Sequence, residues 1–311
     1  MRMFSLETLR VSRIARRNLF YGVLFASPWL LGIILFIAYP VVASLYYSFT
    51  EYSVLNPVKK FVGLSNYTNL IFKDDVFRRS LYNSVYYAVF SIPLGIIVGV
   101  GIAMMLNMKI KGQAVYRTIY FLPVLIPDVA MAILWIWVFN SQYGIVNTLL
   151  WQLFHIQGPG WLASPKWSKP TVILMSLWTV GQAVVTYLAS LQDVPQSLYD
   201  AAEVDGANAL QKTWHVTIPM ITPVIFFNLI MGIIGSLQYF TIAYVITGGD
   251  GRPGQSLFFY AMYLYRNAFA FFKMGVASAQ AWILFIVVLI ATLVVFRTSA
   301  RWVYYGGEEA R

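Results

Sequence analysis

Very few side chains in this sequence could carry out chemistry on a substrate. The chain has no cysteine and only two histidines, His155 and His215, so it offers no thiolate, no disulfide and no zinc-site spacing. One stretch that resembles a phosphate-binding loop runs from Gly206 to Lys212-Thr213. Such a loop needs a second glycine where this chain has Gln211, and it follows a strand, which is missing here. The sequence therefore predicts neither a catalytic centre nor a nucleotide site.

Asp128 is the one acid well inside an apolar stretch. An acid at that depth could belong to a proton relay, but its place directly after Pro127 also suits a helix bend or a partner contact, which we favour. A proton- or sodium-coupled secondary transporter would usually show several midplane acids and repeated halves with broken helices. A membrane-embedded enzyme would need a cluster of reactive side chains beyond this carboxylate. Both alternatives stay open, with the enzyme ranked last.

Composition identifies the elements that must position these few groups. Hydrophobic residues make up 59% of the 311 residues and charged residues 11%, which does not suit the surface of an ordinary soluble domain. The net charge of +10 comes from residues scattered over loops, so it does not predict nucleic-acid binding. Long runs free of Asp, Glu, Lys and Arg are each long enough for a helix that crosses the bilayer. We predict an all-α membrane protein with about six transmembrane helices, at 19–49, 80–107, 116–139, 170–192, 220–247 and 274–297.

The N-terminal arginines predict the orientation of the chain. Arg2, Arg10, Arg13, Arg16 and Arg17 directly precede the first span, and such clusters remain in the cytoplasm. We read this span as a retained helix because it is too long for the core of a cleaved signal peptide. The predicted organisation is a cytoplasmic segment (1–18), a transmembrane domain (19–298) and a cytoplasmic tail (299–311). Prolines are expected to kink the early spans at Pro28, Pro40, Pro93, Pro123 and Pro127.

A polar segment, 195–219, joins the fourth and fifth spans and would face the cytoplasm. Pro195 is suited to open a helix and Gly206 to end it, and a second short helix would run from 207 to 217 until Pro219 stops it. Small residues would keep the bend slim, and apolar side chains could enter a groove on a partner protein. A simple connecting or re-entrant hairpin is the alternative. The small residues are Ala201, Ala202 and Ala207, and the apolar ones are Leu198, Val204, Leu210 and Trp214.

Polar side chains inside the spans are candidates for lining a translocation pathway, because they are costly against lipid. We favour Gln238, Tyr239 and Gln280, although such residues often only join helices by hydrogen bonds. The other candidates are Asn228, Ser236, Thr241 and Ser278. Tryptophans near 151–167 are expected to anchor an external loop at the interface, with contact to a sugar as the alternative.

The ordered set of motifs resembles the permeases of ATP-binding-cassette importers. The segment with Asp200-Ala201-Ala202, Asp205-Gly206-Ala207 and Ile218-Pro219 is similar to the Glu-Ala-Ala loop of these permeases, with Asp200 in place of the usual Glu and Thr213 in place of a common aromatic. Further blocks cover nearly the whole chain and are similar to carbohydrate-uptake permeases of the maltose and glycerol-3-phosphate type. They are 61–67, 82–84, 117–123, 135–137 with Gly144 and Asn147, 245–249 and 275–279.

The resemblance implies the partners and the role of each part. The chain would form a heterodimer with a second permease and supply half of the pathway for a sugar. Two cytoplasmic ATPase subunits would bind ATP and Mg, an external solute-binding protein would deliver the sugar, and this chain would bind no cofactor or metal. The coupling residues implied are Asp200, Ala201, Ala202, Asp205, Gly206, Ala207, Trp214 and Pro219. The expected location is a bacterial or archaeal inner membrane.

Overall fold

The computed structural model describes residues 13–56, 59–108 and 111–304. Arg2 and Arg10 of the basic cluster and residues 305–311 of the predicted tail lie outside the described residues. Within them the chain is almost entirely helical, with one antiparallel pair of short strands, β1 (Thr50–Glu51) and β2 (Lys60–Phe61). The α-helices are α1 (Arg13–Ile33), α2 (Tyr39–Ser48), α3 (Ser65–Lys73), α4 (Asp75–Asn107), α5 (Gln113–Phe121), α6 (Asp128–Val138), α7 (Ile145–Phe154), α8 (Pro165–Ser176), α9 (Gly181–Gln192), α10 (Gln196–Val204), α11 (Ala209–Lys212), α12 (Ile218–Leu237), α13 (Thr241–Thr247), α14 (Tyr260–Tyr265) and α15 (Met274–Ser299). Shorter 3₁₀ segments are Leu122–Leu125 and Leu177–Thr179, and π-helical turns are Ile34–Ala38, Thr213–Thr217 and Arg266–Ala270.

These helices confirm the predicted all-α membrane architecture. Four described segments are long and apolar enough to cross a bilayer: Arg13–Ser48, Asp75–Asn107, Ala209–Thr247 and Met274–Ser299. Two bent pairs, α5 with α6 and α8 with α9, bring the number to as many as six. The apolar runs of the sequence therefore located the spans, although their ends differ by up to about a dozen residues from the prediction.

The prolines have unequal effects on the helices. Pro28 and Pro93 lie inside continuous helices, and Pro123 lies in a 3₁₀ turn. The sharp change of direction is at Pro127, where α5 with its 3₁₀ extension and α6 meet at 100°. Proline lacks the amide hydrogen that would continue the helix, so the third span is broken at this point.

The membrane core is built from α4, α9 and α12. Ala103, Tyr187 and Ile221, one from each helix, are fully buried in the same apolar cluster. Gly99 allows the Tyr187 ring to pack directly on α4, since a Cβ at this position would lie 3.1 Å from the ring. This close packing fixes the relative positions of the three helices.

A polar cap joins the first span to α4 and α14. Asn66 donates to the backbone oxygens of Ser48 and Thr50, both at 2.9 Å. Asp74 caps α4 through Phe77 N and accepts a hydrogen bond from Tyr263 Oη at 2.5 Å. Burial raises the pKa of the Tyr263 hydroxyl to about 12, so this group keeps its proton and donates at any physiological pH.

Candidate functional site

A partly open cavity of about 530 Å³ lies among α4, α6, α8, α9, α12 and α13. Its lining mixes apolar side chains with hydroxyls, amides and tyrosine rings. The polar lining residues are Tyr87, Ser91, Asp128, Ser176, Thr179, Gln182, Tyr187, Asn228, Ser236 and Tyr239. A volume of this size is in the range of small-molecule sites.

Three interruptions of helical backbone bring residues to this cavity. The break at Pro127 places Asp128, the bend of 49° between α8 and α9 places Thr179 and Val180, and the gap between α12 and α13 places Tyr239. Backbone that leaves the helix at membrane depth is tolerated only where protein surrounds it or where it lines a water-filled cavity. The three breaks therefore converge on one cavity whose lining is partly polar.

Hydrogen bonds and ring stacking hold the lining side chains in place. Asn228 donates to Thr186 Oγ1 at 3.1 Å and to the Val224 carbonyl at 2.9 Å, which ties α12 to α9. The Tyr239 ring stacks on Tyr87 with 4.4 Å between ring centroids. These contacts hold an amide and a pair of stacked rings in the wall of the cavity.

Asp128 is the only charged residue of the cavity lining. It is the first residue of α6, where the partial positive charge of a helix N-terminus stabilises a carboxylate. Its position at the bend agrees with the interpretation that the acid marks a break in the helix. No second acid lines the cavity, so the described residues contain no acid pair at this site that could pass a proton.

Three of the seven predicted pathway residues line the cavity: Asn228, Ser236 and Tyr239. Gln238 lies in the break after α12 and is exposed, Thr241 begins α13, and Ser278 is partly buried in α15, all outside the lining. Their roles in transport stay predictions.

Gln280 lies away from the cavity and is fully buried. Asn267 donates to its Oε1 at 2.9 Å, and Tyr260 Oη donates to its backbone oxygen at 2.7 Å. The side chain therefore joins α15 to the π-helical turn that follows α14. This agrees with the alternative hypothesis, that such residues join helices by hydrogen bonds.

Several lining residues were not among the predicted candidates. Ser91, Thr179 and Gln182 are polar residues within predicted spans, and the criterion that selected Asn228 could have found them. Tyr87 was also missed, because a tyrosine in an aromatic-rich helix gives no sign of which side it faces.

The segment 195–219 has the predicted helix, bend and second helix. α10 follows Pro195 and ends in a Schellman motif, in which Ala207 N donates to Ala202 O at 2.9 Å and Gly206 N to Glu203 O at 3.0 Å. Gly206 has φ of +76°, a conformation that glycine adopts without the steric cost of a Cβ.

Gln211 has a structural role in this segment. Asn208 Oδ1 accepts from Gln211 N at 2.9 Å, and Gln211 Oε1 accepts from Asn208 N at 2.8 Å, which forms a capping box at the start of α11. Lys212 forms an ion pair with Glu203 across the bend at 2.9 Å. The lysine that resembled a phosphate ligand is thus part of the internal contacts of the bend.

The prediction that Pro219 stops the second helix was wrong. The chain passes from α11 through the π-helical turn Thr213–Thr217 directly into α12, with Pro219 in the first turn of α12. The helix continues past this proline because the π-helical turn directly before it replaces the regular i to i−4 hydrogen bonds, with Ile218 N donating to Thr213 O. The second helix of the bend is therefore continuous with the fifth span.

The outer surface of the bend carries apolar side chains. Val204 is 88% exposed, Leu210 67% and Trp214 62%. Asp200 is exposed, and its Oδ1 accepts from Gln196 Nε2 at 3.1 Å. The bend thus presents a fixed apolar and acidic surface.

A family model and two similar proteins identify the same family of transport proteins. Residues 91–304 match the model of a family described as binding-protein-dependent transport system inner membrane component. The chain is 38% identical to the probable ABC transporter permease protein YesP of Bacillus subtilis, over 97% of this chain and 98% of that protein. It is 35% identical to the lactose transport system permease protein LacF of Rhizobium radiobacter, over 88% and 91%.

A solved structure has the same fold. It is a crystal structure of a bacterial alginate ABC transporter in complex with an alginate pentasaccharide-bound periplasmic protein, and the matched chain has a TM-score of 0.79 at 24% identity. The match covers 93% of this chain and 96% of that one.

Proposed function

This chain belongs to the family of binding-protein-dependent transport system inner membrane components, and from this premise we propose that it forms half of the pathway of an ATP-driven sugar importer. The observation that carries the ATP-driven part of the proposal is the match to this family over most of the chain, and the cavity lined at three helix breaks supports the pathway itself. Helix breaks that converge on a polar cavity are characteristic of membrane proteins that move a polar solute.

The lining chemistry favours a neutral sugar or oligosaccharide as the solute. Hydroxyl and amide groups can hydrogen-bond to sugar hydroxyls, and the partly buried Tyr239 ring adds an aromatic side chain to the lining. Glycerol-3-phosphate or another polar solute is the alternative to a sugar. No lysine or arginine lines the cavity, so this site has no cation to pair with the phosphate of glycerol-3-phosphate. The similarity to a lactose-system permease supports the same class.

The incomplete enclosure of the cavity by this chain supports a second permease as partner. A pathway for a polar solute must be closed off from lipid, and this chain surrounds its cavity only in part. The first helix supports the same conclusion, because the most apolar part of Arg13–Ser48 has no buried residue. We assign the missing wall to a second permease subunit in a heterodimer.

We place the bend at 195–219 in a cleft of a cytoplasmic ATPase subunit, one of two in the complex. The exposed Val204, Leu210 and Trp214 provide an apolar contact, and the Schellman motif and the capping box hold it rigid. Since the second half of the bend is continuous with α12, a pull on the bend would reach Asn228 and Ser236 at the cavity. ATP and Mg would be bound by those ATPase subunits and not by this chain, and closure of the ATPase pair would bias the pathway.

This role places the bend and both chain termini in the cytoplasm and the solute-binding protein on the other side of the inner membrane. Arg13, Arg16 and Arg17 at the start of the first helix support this orientation.

The test is uptake by the complete complex in proteoliposomes, with the solute-binding protein supplied on the outside. We expect uptake that requires ATP inside, persists with a protonophore, and is accompanied by ATP hydrolysis that rises when the binding protein is loaded with sugar. Uptake without ATP that collapses with the proton gradient would instead support the secondary transporter.

A further inference from the structure

We propose that the face of α4 opposite the cavity binds one anionic phospholipid, with an acyl chain in a groove against α8 and the headgroup phosphate at Lys169. The groove has a volume of about 530 Å³. Its lining is almost entirely apolar and includes Val89, Phe90, Leu94 and Ile97 of α4 with Ile173 and Leu174 of α8.

The two faces of α4 have different surroundings. Tyr87, Ser91, Ile92, Gly95 and Ile96 line the cavity, whereas Tyr86, Phe90 and the α4 residues listed above line the groove. At about 100° per residue, the two sets are centred about 180° apart around the helix axis. With the second permease on the cavity side, as in the proposed function, the groove faces away from that subunit. Val89 and Ile97 in the groove are 58% and 68% exposed.

The length of the groove matches one leaflet. Its α4 side extends from Tyr86 to Ile97, which is about 16 Å at about 1.5 Å per residue. Half of a hydrocarbon core of about 30 Å is about 15 Å. Trp161 and Trp167 also line the groove, and Trp167 is two residues before Lys169, which contacts Tyr86, so the Tyr86 end has the aromatic residues expected at the level of the headgroups.

Positive charge is concentrated at this headgroup end. Lys169 Nζ lies 4.8 Å from the ring centroids of both Tyr82 and Tyr86 and donates to Asn83 Oδ1 at 3.1 Å. Lys166 lies one turn earlier on α8, and Arg79 lies one turn before Asn83 on α4. None of the three cations forms an ion pair with a carboxylate among the described residues.

The aromatic rings connect the cation to the groove. Tyr82, Tyr86 and Phe90 follow one another at spacings of four residues, with 6.2 Å and 4.7 Å between successive ring centroids. Tyr86 thus contacts Lys169 and also lines the groove. An apolar channel one leaflet long with an unneutralised cation at its end is complementary to a phospholipid whose headgroup is negative.

The first experiment measures the lipid retained by the purified complex in native mass spectra after incubation with equal amounts of phosphatidylglycerol and phosphatidylcholine. We expect the complex to retain phosphatidylglycerol preferentially. Lys169→Gln should lower that preference about fivefold, the effect of one lysine at an anionic surface. The matched control is Lys60→Gln, which removes the same charge from an exposed strand position and should change nothing.

The second experiment fills the groove. Val89→Trp should abolish retention of the lipid, whereas Val85→Trp, one turn earlier at a position 41% exposed and outside the groove, should not. The same spectra report whether the second permease is still present, which separates lipid loss from failed assembly.

Three results would overturn the proposal. Equal retention of both lipids by the unmodified complex would show that the positive cluster does not select a headgroup. Displacement of phosphatidylglycerol by inorganic phosphate alone would show a site for a soluble anion. Loss of the second permease in Val89→Trp, with Val85→Trp intact, would show that the groove is an interface between subunits.

Discussion

The bend at Gly206 provides a test of mechanical coupling, because its conformation can be strained without changing any packing contact. Gly206 has φ of +76°, and a Cβ placed there would meet nothing within 4 Å. Within this chain, the effect of Gly206→Ala on the bend therefore comes from the backbone. For an L-residue the left-handed conformation costs about 1–2 kcal/mol, which is about a 5- to 30-fold shift away from the bent arrangement.

Three substitutions of Gly206 should strain the bend to different degrees. Gly206→Asn should have the smallest effect because asparagine tolerates the left-handed region, and Gly206→Ala should be intermediate. Gly206→Pro should have the largest effect, since proline fixes φ near −65° and removes the amide that donates to Glu203 O. The control is Gly101→Ala, a helical glycine of α4 that also has nothing within 4 Å of its Cβ position and negative φ.

The assay is the ratio of sugar taken up to ATP hydrolysed by the reconstituted complex, together with co-purification of all subunits. We expect this ratio to fall in the order Asn, Ala, Pro, while the subunits remain assembled and the Gly101→Ala complex behaves as the unmodified one. A Gly206→Pro complex that assembles and keeps the full ratio would refute the coupling role of the bend.

Three further substitutions test other parts of the structure. Gly95→Leu should reduce uptake several-fold without loss of assembly, because the new side chain enters the open cavity; Gly101→Leu, on the same helix but outside the cavity, should leave uptake unchanged. Asn208→Ala removes the capping box of α11 and should cost about 1 kcal/mol, measured as faster hydrogen exchange of the amides in 209–212. Gln280→Leu removes the hydrogen bond from the buried Asn267 amide and should cost about 1 kcal/mol; a lower unfolding temperature with an unchanged KM for sugar is expected, and a changed KM with normal stability would instead place Gln280 on the pathway.

The sequence alone located the membrane-spanning segments and the bend between the fourth and fifth. Runs without charged residues can only be buried in lipid or protein, so they identify spans whatever the tertiary contacts are. The bend was predictable for a local reason: Pro195 and Gly206 restrict the backbone of their own neighbours, and the structure ends α10 at the expected glycine. The same local argument failed at Pro219, because a π-helical turn let the chain continue into α12.

Only the tertiary structure decided which polar side chains face the cavity. The spans are apolar on all sides, so no periodicity distinguishes the face toward the cavity from the face toward lipid or a neighbouring helix. Gln280 and Asn228 look alike in the sequence, yet one joins two segments inside the protein and the other lines the cavity. The breaks at Pro127, Val180 and Gln238 lie far apart along the chain, and it is the packing of α4, α9 and α12 that brings them to one site.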